Sequence, residues 1–545
     1  MSQFDFDWIV VGSGFGGSVS ALRLAEKGYS VNVLECGKRF RDQDFPKSTW
    51  DLRRYFWAPR IGLRGIFRLT PFKDVSVVSG CGVGGGSLGY ANTLYVPPSD
   101  FFKDPQWGDL DDWESTLAPH YAEAQRMLGV VVHDNDDPAD QLLREYGEAI
   151  GVGDTYQKTP IGIYLDNPGQ TVSDPFFGGE GPDRTGCMQC GRCMVGCPHG
   201  AKNTLVKNYL WLAEKRGATV TPDRTVTEVR PLGAADGSEG YAVTSERSGL
   251  LSGRGRRTLT ARGVIVAAGP LGTNKLLQRC RLGGALPRIS NRLGELVRTN
   301  SESILAVTVP EDYPEDLTTR VAITSSIYPD PHTHIETVTY GKDGNSMHLL
   351  YTLMVGDGTR ATRPLKLLAQ IIRHPRQFAK TLWPRNWSRR TIIVLVMQTL
   401  DNAIALRPTL KRNGDVRLQT EQDPERPMPT FIPAANAFAD WLAQRTGGVA
   451  QSSTTEALMN IPTTAHILGG AVIGHGPEDG VVDASQRVFG YENLLVCDGA
   501  AVPANVGVNP SLTITALAEH AMSGIPDAAN LRTSESSVDV TGSRT

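Results

Sequence analysis

The stretch DWIVVGSGFGGSVSALRLAEKGYSVNVLE, residues 7–35, constrains this chain more than any other. An apolar run leads into a glycine turn, a segment with helical spacing follows, and a second apolar run ends on an acid. Gly12, Gly14 and Gly17 match G-x-G-x-x-G. The first glycine permits a tight turn, the second lets backbone approach a pyrophosphate, and the third lets helix pack on strand. Free N–H groups at the helix start then face the phosphates. Glu35, 18 residues beyond Gly17, stands where an acid accepts ribose hydroxyls. Together these features predict a Rossmann-type dinucleotide-binding unit and an α/β fold class.

Two later segments read the same way. VIVAAGPLGTNKLL and LLVCDGAAVPANVGVNPSLTITALAEHA each run from buried strand through a loop to a helix. Between them, runs such as SILAVTV and THIETVTY alternate with polar turns, as antiparallel strands do. At 545 residues the chain is too long for one simple core. We therefore expect a nucleotide-binding domain built from discontinuous segments (1–130, 200–298 and 462–525). Around it we expect a cysteine-rich insertion (131–199) and an inserted α+β substrate domain (299–461) with an antiparallel sheet. Residues 526–545 lack apolar periodicity and read as a disordered tail.

A net charge of −3 gives no electrostatic case for nucleic acid. The opening MSQFDFDW has neither a basic region nor an apolar one of the kind a secretory signal needs. No run of eighteen apolar residues appears. The expected location is cytoplasmic.

Residue content favours FAD over a nicotinamide. A second glycine loop (Gly82, Gly84, Gly85, Gly86, then Ser87) leaves room for an extended cofactor against backbone. Asp498 and Gly499 follow an apolar strand and fit the ribityl or phosphate region. Asn509 reads as a helix N-cap and Pro510 as the first helical position. A helix start aimed at the flavin would stabilise the charge of its reduced form.

GSGFGGSVSALRLAEKGYSVNVLE, SGCGVGGGSLGYANTLYVPP, VIVAAGPLGTNKLL, AHILGGAVIG and VCDGAAVPANVGVNPSLTITALAE together resemble the glucose–methanol–choline family of FAD oxidoreductases. The likeness is to its cholesterol-oxidase-like actinobacterial branch and runs to about residue 525. It implies a catalytic His466 and Asn509 near the flavin's reacting face. Asn92, in the second of these motifs, and Val226 are further expected cofactor contacts. The chemistry suits these types: a histidine takes a hydroxyl proton near neutral pH, and an amide holds the same oxygen without charge. The family's steroid isomerisation needs a carboxylate. Asn345 falls near that position here, with Glu336 the nearest acid and Glu302 another candidate. No histidine lies between Gly80 and Val96, so non-covalent FAD is expected.

Cys187, Cys190, Cys193 and Cys197, followed by Pro198, have the spacing with which bacterial ferredoxins hold clusters. An iron–sulfur cluster (3Fe-4S or 4Fe-4S), a zinc ion or free thiols are the alternatives. The other four cysteines read as reduced core residues.

A basic block holds nine Lys or Arg from Arg360 to Arg390, with Phe378, Trp383 and Trp387 among them. Leu365, Leu368, Ala369 and Ile372 fall at helical spacing. The block reads as a solvated helix with a few core contacts, or as an element resting on a membrane surface. The expected activity is hydride transfer from a bulky apolar alcohol, such as a sterol 3-hydroxyl, to flavin. O2 or a separate electron acceptor then takes the electrons. The alternatives are a flavin/iron–sulfur dehydrogenase of another terpenoid and a redox sensor or electron-transfer protein.

Overall fold

The computed structural model describes residues 4–249, 253–382, 385–412 and 414–530. The glycine signature folds as expected into β1 (Phe6–Val11), α1 (Phe15–Glu26) and β2 (Val31–Leu34). β1 is central, with Val10 paired to Val33 on one side and to Ile265 on the other. Helices and connecting chain cover the sheet, so Trp8 to Val11 are all buried, as in a strand of a doubly covered parallel sheet. Each such aliphatic side chain contributes about 1.5–3 kcal/mol of burial.

Seven described strands make this first sheet. Thr219–Thr221, β2, β1 and Arg257–Val266 run parallel. One edge of the long strand Arg257–Val266 is shared. Its first half pairs antiparallel with Tyr241–Arg247, and its last three residues pair parallel with Leu494–Val496. Chain from both ends of the sequence therefore meets in one sheet. The helix Ser511–Ser523 packs on α1.

A second, antiparallel sheet of seven described strands carries Ser303–Thr308, Thr391–Gln398 and Thr333–Val338 at its centre. Alternation along Thr391–Gln398 shows why it forms. Ile392, Val394 and Val396 pack with Leu142, Phe438 and Leu442 of two covering helices. Ile393, Leu395 and Met397 point the other way, to Ala306, Val338 and Tyr340. That is the two-residue period of a strand buried on both faces. The second face lies toward the first domain's glycine loops.

Two expectations need adjusting. Chain expected to enter a tail at 526 still packs: the Tyr29 hydroxyl donates to the Pro526 carbonyl (2.8 Å), and buried Ala528 donates its N–H to Lys27 O (2.9 Å). Residues 531–545 lie outside the described residues, as does Trp383. In the basic block, Thr362–Arg373 is helical as expected, but Leu365, Leu368 and Ile372 face outward. The core contacts come from Arg363, Leu367 and Ile371 on the opposite side.

Candidate functional site

The glycine loops and the second sheet enclose a cavity of about 550 Å³. Gly14, Gly86, Asp498, Gly499, Asn509 and Pro510 line it from the first domain. Ile304, Val338 and Leu395 line it from the sheet, and His466 and Glu302 also border it. A largely apolar cavity with a few converging polar groups is the usual form of a ligand site.

Most of the other expected cofactor residues build the loops beside the cavity. Gly12 has φ +101°, and a Cβ there would stand 2.2 Å from Ala267 O. Gly85 has φ +53° and would bring a Cβ to 2.6 Å from Gly14 Cα. The two glycine loops thus touch backbone to backbone. Gly17 packs on Gly12 in the same manner, and the Ser87 hydroxyl donates to Gly84 O (2.6 Å). Glu35 lies at the end of β2, where it accepts from Ser13 Oγ (2.7 Å) and Gly37 N (2.7 Å). Val226 sits half-buried in strand Arg224–Pro231, next to a register shift and away from the cavity lining. Asn92 is buried at φ 73°, with both side-chain polar atoms unpartnered. Buried polar groups rarely stay unpaired. These orphans and the close-packed loops fit an extended dinucleotide.

Asp498 ties the site together. Its carboxylate accepts from Gly269 N (2.8 Å), Thr273 Oγ1 (2.5 Å) and Ala500 N (2.7 Å). Burial pushes its carboxyl up to about 6. Asn509 is not the helix cap expected of it. Pro510 holds that position, and the Asn509 amide turns to Glu336, donating to Oε2 at 3.4 Å. Burial pushes the Glu336 carboxyl up to about 8.

His466 borders the cavity with Nδ1 3.3 Å from Glu302 Oε2, close but not aligned for a hydrogen bond. The Glu302 carboxylate is buried and accepts from Thr464 Oγ1 (2.7 Å) and Ala465 N (2.8 Å). Of the two candidate acids, Glu302 reaches the cavity wall, while Glu336 stands behind Asn509. Asn345 is elsewhere, accepting from Ser388 N and Oγ. Thr464 went unnoticed in the sequence, although its place two residues before His466 was a signal.

The four clustered cysteines surround a second, tight cavity. Three cations line it, Arg192, Lys202 and Arg320, of which the last two are buried. Lys202, fully buried, donates to Leu88 O, Tyr90 O and Cys193 O. Arg320 is buried too, with one guanidinium nitrogen unpartnered. Neither had been singled out, since a lone Lys or Arg carries no pattern. Two of the cysteines read as scattered core residues come together: Cys36 Sγ is 3.7 Å from Cys81 Sγ, with the Arg68 guanidinium against both.

Two profiles described as GMC oxidoreductase match residues 181–295 and 405–518. A cholesterol oxidase of Mycobacterium tuberculosis is 51% identical over 537 residues, covering 96% of this chain and 91% of the relative. A cholesterol oxidase of Acinetobacter baumannii is 47% identical, covering 96% and 95%. Among solved structures, pyridoxine 4-oxidase from Mesorbium loti shares the fold with a TM-score of 0.60 at 16% identity, covering 95% of this chain and 98% of that one. Sequence identity of this order along nearly the whole length means that the chain belongs to the GMC oxidoreductase family, FAD-dependent oxidoreductases acting on CH–OH groups.

Proposed function

We propose that this protein oxidises the 3-hydroxyl of a sterol to a ketone, using non-covalently held FAD. One observation carries the reading: a single cavity brings His466, Asn509 and Glu302 against an apolar wall from the second sheet. That wall suits a fused-ring hydrocarbon, while the polar groups suit its one hydroxyl. The names of the similar proteins, both cholesterol oxidases, support the sterol, and support O2 as acceptor. A separate electron acceptor is the alternative.

The two glycine loops and Asp498–Gly499 would hold FAD, which when bound supplies the acceptor for the carbinol hydride. The protein's own groups do the rest. Glu302 opposite Nδ1 favours the His466 tautomer with its proton on that nitrogen and leaves Nε2 basic. His466 then takes the hydroxyl proton at Nε2. Asn509, braced by Glu336, holds the hydroxyl oxygen through an uncharged amide. The apolar wall excludes water from both groups.

Peripheral contact with a lipid surface belongs to this reading. Leu365 (66% exposed), Leu368 (53%) and Ile372 (72%) form an outward stripe on Thr362–Arg373, and Leu349 (62%), which borders the cavity, is exposed as well. Lys366, Arg373, Arg376 and Lys380 accompany the stripe. Basic amphipathic helices of this kind lie in the interface of anionic membranes. No helix among the described residues is long and apolar enough to cross a membrane.

The test is anaerobic titration of the FAD-loaded protein with cholesterol in micelles. Bleaching of the flavin band with appearance of the 3-ketone is expected. A flavin bleached only by small polar alcohols would sink the sterol reading.

A further inference from the structure

A flavin reaction with O2 has no use for Cys187, Cys190, Cys193 and Cys197, yet the fold gathers them around one cavity. We infer that these four thiolates bind an iron–sulfur cluster of the four-iron type, with Lys202 as its buried counter-charge. Three observations lead there.

The first is spacing in three dimensions. A tetrahedral zinc ion bonds sulfur at about 2.3 Å, so its thiolates lie within about 4 Å of one another. Among the described residues, the single triad of ligand atoms mutually within 4.8 Å is Glu35, Cys36 and Cys81. No three sulfurs of the run converge that closely. An inorganic iron–sulfide core set between the thiolates needs the wider spread.

The second observation is charge. The Lys202 ammonium is fully buried and meets three carbonyls; no carboxylate lies within ion-pair distance among the described residues. A buried cation without an anion is costly. Four neutral thiols would leave it so, whereas a cluster ligated by four thiolates carries the missing negative charge. Arg320, which also lines this cavity and has one unpartnered nitrogen, differs in being paired with Asp137 (2.9 Å).

The third is wrapping. Gln189, Gly191 and Gly196 all have positive φ, turning the chain around the cavity, and Gln189 N donates to Cys187 Sγ at 3.3 Å. Amide donors to sulfur tune clusters in just this way. The same loop borders the flavin cavity: Met194 lines it, and so does Tyr90, whose carbonyl binds Lys202. The cluster site and the flavin site share a wall.

The full-length protein, expressed with iron supplied and purified anaerobically, should contain about four iron and four labile sulfide per chain. A broad absorption beneath the flavin bands and an EPR signal after dithionite reduction should accompany them. Cys190→Ser should lose most of the iron and keep FAD; Cys280→Ser, in the core elsewhere, should keep both. Lys202→Met should lower the cluster's reduction potential, which a merely structural lysine would not do. Stoichiometric zinc, or no iron after reconstitution with ferrous iron and sulfide, would overturn the proposal, and a plateau at three irons would overturn the four-thiolate form. The metal count on the unaltered protein decides even if a variant fails to fold. Protein that takes up no iron on reconstitution yet oxidises sterol would remove this inference and leave the proposed function intact.

Discussion

Glu302 Oε2 stands 3.3 Å from His466 Nδ1, and the carboxylate facing the ring is buried and already fixed by Thr464 and Ala465. A group held that firmly sets the direction of its neighbour. Glu302→Gln should therefore keep FAD bound yet lower kcat by roughly tenfold or more, because an amide no longer favours one imidazole tautomer. His466→Ala should lower it by about 10²–10⁴-fold. Steady-state rates beside flavin content check both. Unchanged kcat in Glu302→Gln would mean that the pair is structural.

Glu336 gives the stability a pH dependence. Burial raises its carboxyl from the ordinary 4.5 to about 8, so between those values the folded protein holds a proton that the unfolded chain has released. Stability from this group is full below about pH 4.5 and is lost as pH rises through about 8. Glu336→Gln, neutral throughout, lacks that loss. Melting curves should show the variant gaining on the original protein from pH 5 to pH 9, by several degrees at the upper end. A constant difference across that range would contradict the assignment.

Gly85 and Gly14 leave no room for a methyl group between the two glycine loops. Gly85→Ala, strained both by its positive φ and by that contact, should lower the FAD content of purified protein at least tenfold. Flavin absorbance relative to protein measures it. A fully loaded Gly85→Ala protein would show that the loops separate without cost.

The outward stripe on Thr362–Arg373 predicts a separation of substrate forms. Leu365→Asp combined with Ile372→Asp should weaken binding to anionic vesicles and slow oxidation of vesicle-borne sterol by about tenfold or more. Turnover of detergent-dispersed sterol should barely change. Equal losses on both would show the helix acting inside the site instead.

Much of this was legible in the sequence for a physical reason. The strand–glycine–helix–strand–acid unit is contiguous, and Gly17 answers a steric demand set by Gly12 five residues earlier, so pattern sufficed although the contacts of Gly12 with Ala267 and of Gly16 with Cys497 are distant. The runs around Leu305 and Glu336 gave away the second sheet because its faces bury against two different partners. What stayed hidden were relations between distant segments. Choosing between Glu302 and Glu336 depends on which side chain reaches the cavity wall, a matter of tertiary placement. Helical spacing grouped Leu365, Leu368 and Ile372 correctly but could not say that the group faces outward. Asn509 had the residue type of a cap, and the buried Glu336 competed for its amide. Lys202 matters only through what surrounds it.

The shared edge of strand Arg257–Val266 bears on how the protein is made. Its parallel partner Leu494–Val496 emerges from the ribosome only when almost the entire chain has been synthesised. Until then the N-terminal glycine loops have lost the loop of Asp498, and the apolar edge at Val264–Val266 waits unpaired. Such late, long-range pairing folds slowly and leaves a sticky edge exposed to other nascent chains. Production of this protein should thus be limited less by its final stability than by protection during translation, so slow synthesis at low temperature with abundant chaperone is the regime in which it will accumulate folded.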